Sequence, residues 1–421
     1  MIEALPAPVP IRTENLNKAK IKVIGVGGGG NNAVNYMAEH QIGEVELIIC
    51  NTDSQVLNNS PVKRRLHIGQ VVTKGLGTGC DPERGRKAAE ESIEEIKDCF
   101  SDGTDVLFIT AGMGGGTGTG ASPVIAKAAR EMGILTIGVV TLPFKDEKNE
   151  FMRRAVAGIH ELKKHIDSLL IIENQKIYEM YKDLSLLDAF PKVNEVLHTA
   201  VKSIADIINY EGFINVDLND VKNVMRDSGM ALLGIGEADG KDRAIEAAKR
   251  ALSSPLLYEC DLKTAKNVLI NIVMSEKAPM SAEEMQIATE YINGFTQSAQ
   301  RFKRGLVLDN SVEEKISITL VATGFRIENL PSIEQTSINP EDVVTIEEDD
   351  EVRSHNRAMM DRMQETFSKT GFAERYRSLP EKPSLIIEPG EKITPLENVP
   401  AYKRLNIDIF MTQSNTVTEE I

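Results

Sequence analysis

Cysteine is scarce in this chain of 421 residues: Cys50, Cys80, Cys99 and Cys260 lie far apart, and no CxxC pair occurs. A disulfide framework is implausible in a chain this large and cysteine-poor, so the four read as buried or idle thiols in a reducing compartment. Long apolar runs are missing too. No stretch of about 20 apolar residues is available to span a bilayer. Residues 1–20 hold prolines and acids but no apolar h-region, so no signal peptide is expected. Positive charge is in deficit: the formal net charge of −15 argues against a general nucleic-acid binder. These absences point to a cytoplasmic protein that does not insert into membranes. With 41% hydrophobic and 26% charged residues, it has material for a sizeable core. The length exceeds the roughly 250–300 residues at which single cores stop growing, so two or more domains are expected.

What is present is an alternation of apolar strands and amphipathic helices. Strands are expected at 21–26, 45–50, 106–109, 134–140 and 168–172, with helices beyond the first glycines, where Ala33, Val34, Met37 and Ala38 recur, over 83–99 and over 119–132. Such alternation indicates βαβ units and a mostly parallel sheet. A long helix is expected over 188–211. Phe190, Val193, Leu197, Val201, Ile204 and Ile208 form one apolar stripe there, and Pro191 falls in its first turn. Beyond Gly229, strands at 268–274 and 315–322 and helices near 244–252 and 282–295 read as a smaller α+β part ending near Phe325. In the last of these strands Ile316, Ile318 and Leu320 alternate with Lys315, Ser317 and Thr319, which suits a sheet with one wet face. Residues 331–351 contain eight acids and no Lys or Arg, so disorder is expected there; 355–375, charged with scattered Met and Phe, reads as a transient helix before a proline-rich linker.

Two glycine runs carry the chemistry. The first, Gly25-Val26-Gly27-Gly28-Gly29-Gly30-Asn31-Asn32, joins a strand to a helix. Glycine permits left-handed angles and close approach of N–H groups to an anion, and the helix dipole points at the same place. Alone, this run also fits a dinucleotide site, since Gly25, Gly27 and Gly30 satisfy GxGxxG with Asp53 further on. It also fits a tight structural turn. The second run, 111–120, puts six glycines in the nine positions 112–120, again between a strand and a helix. A dinucleotide domain has no use for it, and so many glycines are costly to order for structure alone. Neither run contains GxxxxGK[ST], and no lysine follows, so a phosphate would be held mostly by backbone N–H groups. Thr117 and Thr119 can add hydroxyls or cap the helix.

The runs GVGGGGNN and GGGTGTG, followed by NVDLNDV at 215–221, resemble the FtsZ family, relatives of tubulin, over about 21–324. The resemblance implies an α/β fold with an N-terminal parallel-sheet GTP-binding domain (21–187) and a central helix (188–211). It also implies a smaller α+β C-terminal domain (212–325). Around these lie a flexible arm (1–20), a linker (326–395) and a partner-binding tail (396–421). It further implies a GTPase that forms head-to-tail filaments at the mid-cell division site, with GTP or GDP and Mg²⁺ as cofactors. A filament or regulatory relative that binds GTP with little hydrolysis is the alternative. By motif, the phosphates fall on Gly28, Gly29, Gly30, Asn31, Asn32, Gly115, Gly116 and Thr117; Asn31 stands where the family usually has glycine, and Asn tolerates left-handed angles. Phe190 would stack on the base and Glu195 stands at the guanine-selecting aspartate position. Glu147 matches the ribose contact. Phe151 replaces the family's arginine, with Arg153 and Arg154 just beyond.

Asp217 and Asp220 fit an N-cap and its N3 acid on spacing alone. In the family they belong to a loop that completes the neighbouring subunit's pocket, orienting water with Asn215, and no residue is assigned as a metal ligand. A carboxylate is a poor base for water, so positioning is the credible contribution. The segment 399–405, with Pro400 to Arg404 at its centre, resembles the family's peptide for a membrane-anchoring adaptor. Here 16 further residues follow it.

Overall fold

Five short, mostly apolar runs and one polar edge strand build the first part of the sheet in this computed structural model: β1 (Ile21–Val26), β2 (Glu46–Asn51), the polar edge β3 (Arg64–His67), β4 (Val106–Gly112), β5 (Leu135–Leu142) and β6 (Ser168–Glu173). They pair in parallel in the order β3-β2-β1-β4-β5-β6. Helices cover both faces, which is why the strands other than the edge strand β3 are apolar almost throughout. The structure describes residues 18–325, except 145, 146, 148, 177–180, 182–185, 211, 254–261 and 297 and the side chains of 186–190. The expectations for 1–17, the linker, the tail peptide and Cys260 lie outside the described residues.

The helices are α1 (Gly27–Glu39), α2 (Ser54–Asn58), α3 (Gln70–Thr73), α4 (Pro82–Glu91), α5 (Ile93–Asp98), α6 (Thr117–Glu131), α7 (Asn149–Lys163), α8 (Leu186–Asn209), α9 (Leu218–Met225), α10 (Arg243–Leu252) and α11 (Ala282–Phe295). The single helix expected over 83–99 is two, α4 and α5. The break is at Ser92, whose hydroxyl accepts from Gly69 N at 3.2 Å. The long helix begins at Leu186, two residues before the expected start, so Pro191 lies inside it rather than in its first turn.

Four more strands, β7 (Gly229–Ala238), β8 (Asn267–Met274), β9 (Arg301–Leu308) and β10 (Ile316–Phe325), continue the same sheet as β7-β10-β8-β9. Strand β10 is antiparallel to β7 and β8, while β9 runs parallel to β8. The join is narrow: β6 meets β7 through Ser168–Gly229 and Leu169–Met230. The α+β part therefore shares one sheet with the parallel part. The wet face expected for β10 is absent along most of its length, because it is an interior strand; Thr319 and Val321 are buried.

The alternation of each strand divides the core between the two faces. Ile24 and Val26 pack with Ala121, Ile125 and Ala129 of α6 and Ile159 of α7, in a core that extends to Ala247 of α10 and Ile292 of α11. Ile21 and Val23 face the other way, against Val34 and Met37 of α1, Val201 and Ile204 of α8, and Val221 and Val224 of α9. The apolar stripe expected on α8 thus faces the sheet.

Candidate functional site: two glycine turns at one end, an acidic turn at the other

Strands β1 and β4 are neighbours in register, with Val26 beside Ala111, so they end side by side at one edge of the sheet. Each runs straight into glycine, β1 into the first turn of α1 and β4 into the turn before α6. Neither helix start has a side-chain cap hydrogen bond. Two sets of first-turn N–H groups and two positive dipole ends therefore converge, the arrangement that suits an anion.

The first glycine run is not a loop followed by a helix. Gly27 to Gly30 are themselves helical, and only Gly27 of that turn has a left-handed φ, +71°. Most of the glycines are explained by backbone crowding. A Cβ at Gly27 would sit 2.7 Å from Gly118 N, and one at Gly30 would sit 2.2 Å from Thr110 O. In the second run, a Cβ at Gly116 would meet Thr78 Oγ1 at 2.1 Å, and one at Gly120 would meet Pro82 O at 1.9 Å. The density of glycine, expected to serve the ligand, is thus largely a packing requirement between α1, α4 and α6. Gly28 and Gly115 are different: a Cβ at either would meet nothing within 4 Å. Gly29 is exposed like Gly28, but a Cβ there would meet the Gly112 backbone at 3.1 Å.

Asn31 departs from expectation. It is helical, its φ is not positive, and it is wholly buried. In the amide orientation that satisfies its neighbours, Nδ2 donates to Gly25 O at 2.7 Å and its oxygen accepts from Asn51 Nδ2 at 3.1 Å. Its side chain ties α1 to β1 and β2, so the left-handed tolerance of Asn is not what keeps the turn in shape. Asn32 is exposed at the same helix start. Thr117, the first residue of α6, is buried, with Oγ1 2.8 Å from Thr52 Oγ1 and 3.4 Å from Thr78 Oγ1. Thr119 Oγ1 accepts from Gly114 N at 2.9 Å and so fixes the second turn from within. Thr52 has no glycine motif to betray it, and Thr78 lies in a third glycine-rich run, Gly75-Leu76-Gly77-Thr78-Gly79, that was not singled out from the sequence; the fold brings both here.

Phe151, near the start of α7, backs onto the same turn: a Cβ at Gly114 would lie 2.9 Å from Phe151 O. Arg154 stands over the Phe151 ring at 5.8 Å, donates to Cys80 O at 2.7 Å and pairs with Glu150 at 3.2 Å. Arg153 is more exposed and lies 3.8 Å from Glu150. Arg154, tethered to the 78–81 segment that covers Gly116, is the arginine nearer the glycine turns. Glu147 is exposed and accepts from Phe144 N at 3.1 Å. On α8, Glu195 pairs with Lys192 at 2.6 Å, which holds the Lys192 ammonium above its ordinary range. The Phe190 side chain lies outside the described residues.

The acidic turn is elsewhere. Helices α1 and α8 run side by side in the same direction: Tyr36 meets His198, and Asn209 Nδ2 donates to Glu44 O at 3.4 Å. The start of α8 is therefore level with the glycine turns and its end is level with the start of β1. With 24 residues, α8 is about 36 Å long. The turn 214–217 follows it, bridged to β9 by the Ile214–Leu306 pair. Asp217 is the N-cap of α9, accepting from Asp220 N at 2.8 Å. Asn215 Oδ1 accepts from Gly212 N at 3.4 Å. Asp220 Oδ1 is 2.6 Å from Lys303 Nζ of β9. That lysine was not singled out from the sequence; its only signal is three basic residues, Arg301, Lys303 and Arg304, inside an apolar strand. Asp217 and Asp220 thus do not join the glycine turns within one chain.

Among the described residues no group of three or more His, Cys, Asp or Glu is placed to hold a metal.

Comparison with known proteins gives these turns a family. Residues 20–182 match the Tubulin/FtsZ family GTPase domain, and residues 229–326 match the FtsZ family C-terminal domain. Among solved structures, the empty FtsZ dimer of M. jannaschii is 40% identical, with a TM-score of 0.67 over 73% of this chain and 88% of that one. The GTPγS-bound CetZ2 protofilament of Haloferax volcanii shares the fold at 22% identity, with a TM-score of 0.65 over 75% of this chain and 96% of that one. The two converging glycine turns lie in the GTPase part and the acidic turn lies between the two matched parts, and the chain belongs to the FtsZ family of tubulin-like GTPases.

Proposed function

We propose that this chain is a GTPase whose active site is completed only when two copies stack head to tail, and that the resulting filament organises the division ring in the cytoplasm. One observation carries the reading: the groups suited to bind a triphosphate and the groups suited to order water lie at opposite ends of α8, about 36 Å apart. A single copy cannot bring them together. A second copy stacked along α8 can.

The surfaces support the same stacking. Val71 and Leu76 are 80% and 82% exposed beside the glycine turns, and Phe213 is 78% exposed beside the acidic turn. Large exposed side chains at both ends suit an interface that repeats. The FtsZ relative is a dimer and the CetZ2 relative a protofilament.

In this reading, N–H groups at Gly28, Gly29, Gly30, Asn32, Gly115, Gly116 and Thr117 hold the phosphates, while Asn31 shapes the turn. Phe190 and Glu195 meet the base, and Glu147 the ribose. Arg154 is the cation closest to the position that Phe151 leaves uncharged. Asp217 and Asp220 of the next copy, with Asn215, orient the attacking water in line with the terminal phosphate. The domain limits follow the same division, 21–187 for GTP and 212–325 for the activating end. The segment Pro400 to Arg404 is the contact for a membrane-anchoring adaptor. The uncharged Phe151 and the Lys192–Glu195 pair favour a second reading, a GTP-binding filament with slow hydrolysis.

GTP turnover per molecule, measured against protein concentration, separates these. The shared site requires negligible turnover below a threshold concentration and a steep rise above it, together with light scattering. Asp220→Ala should keep GTP binding and lose hydrolysis about 100-fold. A rate per molecule independent of concentration sinks the shared site, and scattering without turnover selects the slow relative.

A further inference from the structure

Two carboxylates brought against a triphosphate repel it, yet the acidic turn carries its own cation. Strand β9 runs along the turn and α9 in the opposite sense. Its alternate residues Arg301, Lys303 and Gly305 share one face and meet that segment in succession. Arg301 Nη1 donates to Asn223 O at 2.8 Å, Lys303 Nζ reaches Asp220 Oδ1 at 2.6 Å, and Gly305 lies beneath Val216, where a Cβ would come within 2.9 Å of Val216 Cγ2. This stacking fixes where Lys303 can reach. Its side chain is 51% exposed, while the Asp220 side chain it pairs with is 19% exposed. The ammonium therefore stands at the outer rim of the turn, where a stacked copy would arrive. Asp220, with a weaker contribution from Asp217, holds Lys303 above its ordinary range, so it is charged at any physiological pH.

We infer that Lys303 enters the neighbouring copy's nucleotide site together with Asp220, where its ammonium offsets the repulsion between the acidic turn and the triphosphate. The inference rests on the head-to-tail reading above and adds a residue to it. Lys303 would meet the terminal phosphate through charge alone, forming no covalent bond and moving no proton. Its stem is long and unbranched, so the ammonium can leave Asp220 Oδ1 for a phosphate oxygen when the two ends meet. In the free copy the same pair keeps the Asp220 carboxylate at the rim. Lysine is otherwise hard to explain here, since an exposed pair of this kind adds little to stability.

The test uses the full chain with Lys303→Met and Lys303→Arg. Light scattering against protein concentration is recorded with GTP and with GTPγS, at low and high salt. GTP turnover per assembled copy and thermal melting are recorded alongside. Lys303→Met should raise the assembly threshold about tenfold at low salt, with the difference shrinking at high salt. Lys303→Arg should restore the threshold, and the melting temperature should be unchanged in both. A Met variant that assembles and turns over like the parent overturns the role of Lys303 and leaves the shared site standing. So does a Met variant whose loss tracks a lowered melting temperature. If the parent chain itself shows no threshold with either nucleotide, the shared site and Lys303's part in it fall together.

Discussion

The two ends of this molecule are built by different means. At the glycine end the working surface is backbone, held by contacts so close that a single added carbon would strike another peptide group. At the acidic end the working groups are side chains on an exposed turn, held by an N-cap bond and an ion pair. At its crowded glycines the first end is damaged by adding a methyl group, and that damage is damage to the fold; Gly28 and Gly115 have open space and are the exceptions. The second can be altered group by group while the fold stands. A site that must be rigid for binding and remade at each docking event gains from being divided in this way.

The largest effect expected from breaking that contrast is at Gly120. Its neighbours at 1.9 and 2.7 Å are Pro82 O and Arg86 N, both backbone, and neither can rotate away. Gly120→Ala should destabilise the chain by about 3 kcal/mol or more, seen as loss of soluble protein or a markedly lower melting temperature. A variant that melts like the parent would mean that α4 and α6 are not packed as described.

Next comes a pair at the acidic end. Asp217 both caps α9 and supplies one of the two charges. Asp217→Asn keeps an oxygen to accept from Asp220 N and removes the charge; Asp217→Ala removes both. The Asn variant should melt like the parent yet lose turnover on the order of 100-fold. The Ala variant should lose turnover as much and stability by about 1 kcal/mol. If Asn restores turnover as well as stability, capping is the whole role of Asp217.

The same contrast governs how much could be read from sequence. Elements whose signals are local were legible. Helix α11 was expected over 282–295, its observed limits, and the structure shows Ser281 and Glu284 closing a capping box at its start. Strand β1 was equally plain. Strands β7 and β9 were not foreseen. The first carries three glycines in GMALLGIGEA, and the second opens with RFKR, so their β character comes from pairing with β10 and β8. Within the site, the glycine runs were visible, but the cause of each glycine was not. Pro82 and Thr78, which press on Gly120 and Gly116, lie about 40 residues away in the chain, and no spacing rule links them. Asn31 was read as a residue bent to glycine's angles. It is instead a buried strut, recognisable only once Gly25, Cys50 and Asn51 surround it.

The smallest effect should come from Gly28, and it sharpens the contrast most. Gly28 is helical and exposed, and a Cβ there meets nothing within 4 Å. By structure alone alanine is the better residue, since glycine in a helix costs about 0.5–1 kcal/mol relative to alanine. Gly28→Ala should therefore raise the melting temperature of the nucleotide-free protein slightly. If its N–H group faces a phosphate, the same methyl group occupies the approach, and GTP affinity should fall. The two readouts move in opposite directions only for a glycine kept for a ligand. Gly30, crowded by Thr110 O, cannot give that result, because alanine there damages both. A Gly28→Ala variant that is more stable and binds GTP as well as the parent would place the phosphates away from the first turn of α1 and leave the second turn to hold them.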